Sequence, residues 1–213
     1  MTYTVKEIYY TLQGEGLNAG RAAVFLRFAG CNLWTGLEAD RSKGLGGCSR
    51  WCDTDFRGIN GPKGGAYRTP LELAERVSSL WPDGEGKPLV VCTGGEPLLQ
   101  LDRALISALK AIGFEVAIES NGTLPVPEGV DWVCISPKYG APLVVDRGNE
   151  LKLVYPQVGL PPEGFEHLSF QAFLLQPLDG PDAVENTLAA LRYCLAHPRW
   201  RLSIQTHKTL KIP

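Results

Sequence analysis

The chain has 213 residues, 44% of them hydrophobic and 21% charged, a balance that fits one globular core and excludes a disordered or fibrous chain. A net charge of -2 supplies none of the basic footprint with which proteins grip nucleic acid, which favours a small-molecule partner. No apolar run approaches the ~20 residues that span a bilayer, and the opening MTYTVKEIYYTLQGEG lacks the pattern of a secretion signal, so the expectation is a cytoplasmic protein with no membrane contact.

In chain order, the first apolar run of strand length is 22–29. A helix is predicted next: Thr69 as its cap, Pro70 in its first turn, Glu72 completing a capping box, and Leu71, Leu73, Ala74 and Val77 on one face. Strand runs at 88–92, 115–118, 132–135, 151–155, 172–175 and 202–204 follow. Between them lie a helix over 101–112, stopped by Gly113, and another over 181–196, ending before Pro198. Alternation of strand and helix predicts a mostly parallel α/β sheet, because parallel neighbours need crossovers. A closed (β/α)8 barrel takes ~250 residues. With only three readable helices, a partial, open barrel in a single domain over 1–213 is the better expectation.

Polar residues gather where the strand runs end: Thr93-Gly94-Gly95-Glu96, Glu119-Ser120-Asn121, Ser136-Pro137-Lys138, Gln176-Pro177 and Gln205-Thr206-His207. Ligands bind at that edge of parallel sheets, so these ends predict one shared site.

Six cysteines without an export signal point to reduced thiols. Cys92, Cys134 and Cys194 stand alone in apolar surroundings and read as small buried hydrophobes, whereas Cys31, Cys48 and Cys52 share one glycine-rich, charged stretch. Three thiolates are one short of a closed iron-sulfur or zinc site, which leaves one metal position for a reactant. Three readings of the spacing stand: a 4Fe-4S cluster, a zinc site completed by a distant ligand such as His207, or a grouping without function. At the Gly94-Gly95-Glu96 turn, either the backbone approaches a ligand with the carboxylate accepting from an ammonium, or the turn is an ordinary one.

The Cys52-Asp53-Thr54-Asp55 segment, the Gly94-Gly95-Glu96-Pro97 turn, the Glu119-Ser120-Asn121-Gly122 strand end and the Leu12-Gln13-Gly14-Glu15-Gly16 opening together resemble the 7-carboxy-7-deazaguanine synthases, across nearly the whole chain. These are radical S-adenosylmethionine enzymes of queuosine and 7-deazapurine biosynthesis. The resemblance implies a radical SAM type of partial barrel with a cluster-binding loop at about 31–56. It implies conversion of 6-carboxytetrahydropterin to 7-carboxy-7-deazaguanine with loss of ammonia, a homodimer, and a flavodoxin-like or ferredoxin-like reducing partner. Two other readings compete: an activase that draws hydrogen from a protein glycine, and a zinc-stabilised module without activity.

Carried over by motif, Cys31, Cys48 and Cys52 resemble the cluster ligands and Thr54 the ligand of a magnesium ion. Trp51, Asp53, Gly94, Gly95, Glu96, Glu119, Asn121, Ser136, Pro137, Lys138 and Gln176 resemble the S-adenosylmethionine pocket. Leu12, Gln13, Gly14, Glu15, Arg27, Thr93, His207 and Pro213 resemble the substrate pocket. Without the resemblance, Gln13 and Glu15 read equally well as a polar turn, Arg27 as a solvated edge residue, His207 as a buried hydrogen-bonding group and Pro213 as a frayed end. One departure is plain. The superfamily spacing is C-x3-C-x2-C, and here it is C-x16-C-x3-C. The long gap is tolerable because doubling a loop adds only ~0.6 kcal/mol of closure entropy. The extra residue between Cys48 and Cys52 predicts a rearranged loop with the same three ligands.

Overall fold

The computed structural model describes residues 2–83 and 86–213. Its described residues form one nine-stranded sheet. The elements are β1 (Tyr3–Leu12), β2 (Ala22–Phe28), β3 (Gly65–Tyr67), α1 (Pro70–Ser78), β4 (Leu89–Gly94), α2 (Arg103–Ala111), β5 (Glu115–Ser120), β6 (Trp132–Ile135), β7 (Arg147–Tyr155), β8 (Ser169–Pro177), α3 (Ala183–Ala196), β9 (Trp200–Leu202) and α4 (Thr206–Leu210). The strand order is β3-β1-β2-β4-β5-β6-β7-β8-β9, parallel from β2 to β9, with β1 antiparallel to both β2 and β3. β3 and β9 are the two free edges, so the barrel is partial and open, as the strand and helix count predicts.

Strand β1 was not expected from its sequence. The alternation that marks a half-buried strand is broken at Val5-Lys6, which are both buried, because the register with β2 slips between Val5 and Glu7. Lys6 is tolerated there because its ammonium donates to Asp55, the Arg57 carbonyl and Asn60 at 2.6 to 3.0 Å. Other expectations need correction. Leu71 is exposed, and α1 buries Leu73, Ala74 and Val77 alone. α2 starts at Arg103 because Asp102 caps it, accepting from the Leu105 amide at 2.9 Å. The last strand is Trp200–Leu202 rather than 202–204: Trp200 is buried against Phe173, and Ile204 turns outward. Gln205-Thr206-His207 therefore belongs to the start of a fourth helix, α4, instead of a strand end.

Successive strand residues face opposite sides of the sheet. Val24, Leu26, Val90, Cys92, Val116 and Ile118 pack beneath α1 and α2, and Leu151, Leu153, Phe173 and Leu175 lie in the core that includes Ala190 of α3. The alternate residues face the concave side. At its base sits an apolar plug of Ala23, Phe25, Leu89, Val91 and Ala117. Two residues further along the same strands come Arg27, Thr93 and Glu119, so one periodicity supplies both a floor and a polar wall. Among the described residues no helix is long and apolar enough to cross a membrane.

Candidate active site

The concave face encloses a cavity of about 780 Å³. Of the residues assigned above to the cluster, the magnesium ion, the cofactor and the substrate, all line it except Glu96 and Pro137.

One end is built from the cysteine loop. Cys31 follows β2, and Cys48 opens a single tight helical turn, Gly47–Arg50. The Cys48 carbonyl accepts from the amides of Trp51 (3.0 Å) and Cys52 (2.7 Å). Three intervening residues thus become an i to i+4 step, which keeps Cys48 and Cys52 on one side of the turn and both in the cavity wall. Arg41 pins this turn: its guanidinium donates to the carbonyls of Ser49 (2.7 Å) and Cys52 (3.2 Å) and lies 4.9 Å above the Trp34 ring. Burial pushes the Cys48 thiol up to about 11 and raises Cys31 as well, so metal binding here releases protons. Among the described residues no three His, Cys, Asp or Glu side chains close around a single ion. Thiolates of an iron-sulfur cluster bind separate irons and need not meet at one point.

The end of β4 is pressed against this loop. A Cβ on Gly95 would sit 2.3 Å from the Gly30 carbonyl and 2.7 Å from the Cys31 Cβ, so only glycine lets the two segments meet. Glu96 departs from expectation. Its carboxylate is fully buried outside the cavity, accepting from the amides of Leu98 (2.9 Å) and Asn121 (2.8 Å) and from the Ser120 hydroxyl (2.8 Å). Burial raises its pKa even against those three donors. It ties the ends of β4 and β5 together. Pro137 also lies outside the wall, although its neighbours Ser136 and Lys138 belong to it. The Lys138 ammonium donates to Ser136 Oγ and sits 5.8 Å from the centre of the Trp51 ring. Gln176 Oε1 is a buried acceptor in the cavity wall with no hydrogen-bond partner among the described residues. Three convergent thiols, a glycine-shaped approach and this orphaned oxygen fit a cluster and a polar cofactor.

The other end is charged. Arg27 donates to Glu7 (2.8 Å) and Tyr9 OH (3.0 Å). Glu119, expected among the cofactor groups, lies instead with the residues expected for substrate: it accepts from Gln13 Nε2 and Thr93 Oγ1, both at 3.2 Å. Lys152 joins them, donating to Glu119 at 3.3 Å and to Glu15. Burial acts to lower the Lys152 pKa, but Glu119 and Glu15 outweigh it and hold the ammonium well above its usual value. Gln205 Nε2 donates to the other Glu15 oxygen at 2.8 Å. His207 packs so closely over Gly14 that a Cβ there would fall 2.2 Å from its Nδ1. The Pro213 carbonyl oxygen accepts from Thr11 Oγ1 at 3.1 Å. Leu12 and Thr54 complete the wall, and Asp53 accepts from Lys208 at 2.8 Å.

Lys152, Arg41 and Tyr9 are site residues the sequence reading missed, whereas Gln205 was read only as part of a polar strand end. For Lys152 a signal existed: it interrupts the apolar run of β7 between Leu151 and Leu153, and period 2 turns it to the face opposite theirs.

No family model matches the chain. Three relatives named 7-carboxy-7-deazaguanine synthase align over the full length of both chains: 58% identical in Bradyrhizobium diazoefficiens, 57% in Bordetella pertussis and 58% in Caulobacter vibrioides. The chain belongs to the 7-carboxy-7-deazaguanine synthase family. Among solved structures, QueE from Escherichia coli superposes with a TM-score of 0.65 at 27% identity, over 96% of this chain and 94% of that one. Membership makes the chain a radical S-adenosylmethionine enzyme, which implies S-adenosylmethionine and a 4Fe-4S cluster as its cofactors.

Proposed function

We propose that this enzyme converts 6-carboxy-5,6,7,8-tetrahydropterin to 7-carboxy-7-deazaguanine with loss of ammonia, a step of queuosine biosynthesis. The observation that carries the reading is one cavity with two chemically distinct ends, three thiols and two glycines at one and a hydrogen-bonded set of charged groups at the other. When bound, the cluster and S-adenosylmethionine supply a 5′-deoxyadenosyl radical.

The chain's own residues hold and orient. Cys31, Cys48 and Cys52 hold the cluster. Trp51, Asp53, Gly94, Gly95, Asn121, Ser136, Lys138 and Gln176 line the cofactor's share of the cavity; the Glu96 side chain acts only by fixing the turn. Gln13, Glu15 and Glu119 present acceptors to the amino-pyrimidine edge of the ring, where Thr93, Leu12 and Gly14 form the wall. Arg27 faces the substrate carboxylate, which its planar fork suits. His207 and Pro213 close the cavity from the C-terminal side. Thr54, in the cavity wall, would hold a magnesium ion, a hard cation that prefers oxygen ligands.

We read 1–213 as one radical SAM domain, acting in the cytoplasm and reduced by a flavodoxin-like or ferredoxin-like protein. It pairs as a homodimer through α3. That helix turns Val184, Leu188, Leu191 and Leu195 outward, 39 to 74% exposed, at the spacing of a coiled-coil seam. Glu185 and Arg192 of the same helix carry opposite charges, which suits antiparallel pairing of two copies.

The deciding experiment is an anaerobic assay of reconstituted protein with 6-carboxytetrahydropterin, reductant and magnesium, with the deazaguanine product identified by mass. S-adenosylmethionine cleavage without that product would refute the substrate.

A further inference from the structure

Nothing in the proposed reaction explains why a lysine lies buried between two carboxylates of the ring-binding end. Lys152 is 5% exposed, and its ammonium contacts both Glu15 and Glu119. We propose that Lys152 is a specificity-determining positioning residue, which keeps Glu15 and Glu119 as acceptor-only carboxylates and so restricts that end of the cavity to a ring edge presenting N-H donors. The proposal rests on the pterin reading and adds to it the group that enforces the choice of ring.

The argument is one of charge. Two neighbouring carboxylates in a buried site do not both stay ionised without a cation, and one takes up a proton. A protonated carboxyl becomes a donor, and it donates to a ring carbonyl as readily as a carboxylate accepts from an amino group. With Lys152 in place, the remaining partners reinforce acceptor character: Gln13 and Thr93 donate to Glu119, and Gln205 donates to Glu15. Other charged or titratable groups face the set without replacing the lysine. Tyr9 is paired with Arg27, and Lys138 is turned to Ser136. Glu150 accepts from the Leu17 amide, the Cys134 thiol is strongly raised by burial, and His207 lies over Gly14. Lys152 is thus the cation that contacts both carboxylates. The lowered pKa of Glu15 agrees with this: burial acts to raise it, and Lys152, with smaller help from Gln205 and His207, more than compensates.

The test compares binding of two reduced 6-carboxypteridines, the 2-amino compound and its 2-oxo counterpart, to wild type, Lys152→Met and Lys152→Met/Glu119→Leu, the last leaving one carboxylate and adding no donor. Melting temperature is recorded for each protein. Wild type is expected to prefer the 2-amino ring by ~100-fold or more, as sites with fixed hydrogen-bonding partners do. Lys152→Met should lower that preference to ~10-fold or less, because one carboxyl is now a donor. The double variant, with one carboxylate left and no neighbour to share a proton, should recover most of it. A purely structural lysine would not change the ratio. An unchanged preference in folded Lys152→Met, or no recovery in the double variant, overturns the proposal; if Lys152→Met does not fold, Lys152→Gln, uncharged but able to hydrogen-bond, is read in its place by the same criterion. Wild type binding both rings equally overturns the Lys152 proposal alone, whereas wild type binding neither overturns the pterin reading beneath it.

Discussion

Cys48 and Cys52 are four positions apart, and a carbonyl oxygen decides what that spacing means. By accepting from both Trp51 and Cys52, the Cys48 carbonyl absorbs the extra residue into one helical turn. Legibility differs between cysteines on the same physical ground. Cys92 is fully buried beneath the helices and behaves as the small hydrophobe its neighbours predict. Cys134 is buried in the cavity wall, and Cys194 is only partly buried on α3. Replacing Cys31, Cys48 or Cys52 with Ala is expected to abolish bound iron and sulfide after anaerobic reconstitution. Cys92→Ala should retain both and lose about 1 kcal/mol of stability, seen in urea melts. Equal loss of iron from both sets would contradict the assignment.

Among the elements, α3 carries a pattern that one chain does not use up. An amphipathic helix needs one apolar face, yet α3 buries Ala190 against the sheet and still exposes a leucine stripe on its outer side. A second copy docked there, as proposed, would remove that stripe from water. Leu188→Glu combined with Leu191→Glu is expected to give monomers in sedimentation equilibrium with little change in monomer melting, because both positions are already solvated in one chain. An unchanged mass would exclude this face. The other helices were more legible. Thr69 caps α1, accepting from the Glu72 amide at 3.1 Å, and Gly113 follows α2 at φ +92°, each as local chemistry predicts. β1 was missed because its bulge flips the alternation in mid-strand, and α4 because five residues carry no readable period.

For the molecule as a whole, the buried charges set a pH limit. The Glu15 carboxyl is lowered from 4.5 to about 2, since Lys152 and Gln205 outweigh the effect of burial. A carboxyl lowered on folding adds stability that is fully present above its unfolded value and disappears as pH falls through the folded one. Wild type should therefore lose melting temperature progressively between pH 4.5 and about 2. Lys152→Met should lack that acid loss and instead gain melting temperature as pH falls toward 4.5, because a carboxyl whose folded pKa is raised holds its proton more tightly in the folded state than in the unfolded one. Parallel profiles for the two proteins would show that the pair contributes nothing to acid stability.

Sequence alone determined what depends on residue type and short spacing: the three-thiol loop, the glycine turn, the capped helices, the parallel alternation and the family motifs. Tertiary structure decided what depends on which distant residues meet. It turned Glu96 away from the cavity, moved Glu119 to the charged end and brought Lys152 between two carboxylates more than thirty positions away from it. Residue type fixes the charge of a side chain, but the company it keeps in a low-dielectric cavity fixes its protonation, and only the folded sheet supplies that company.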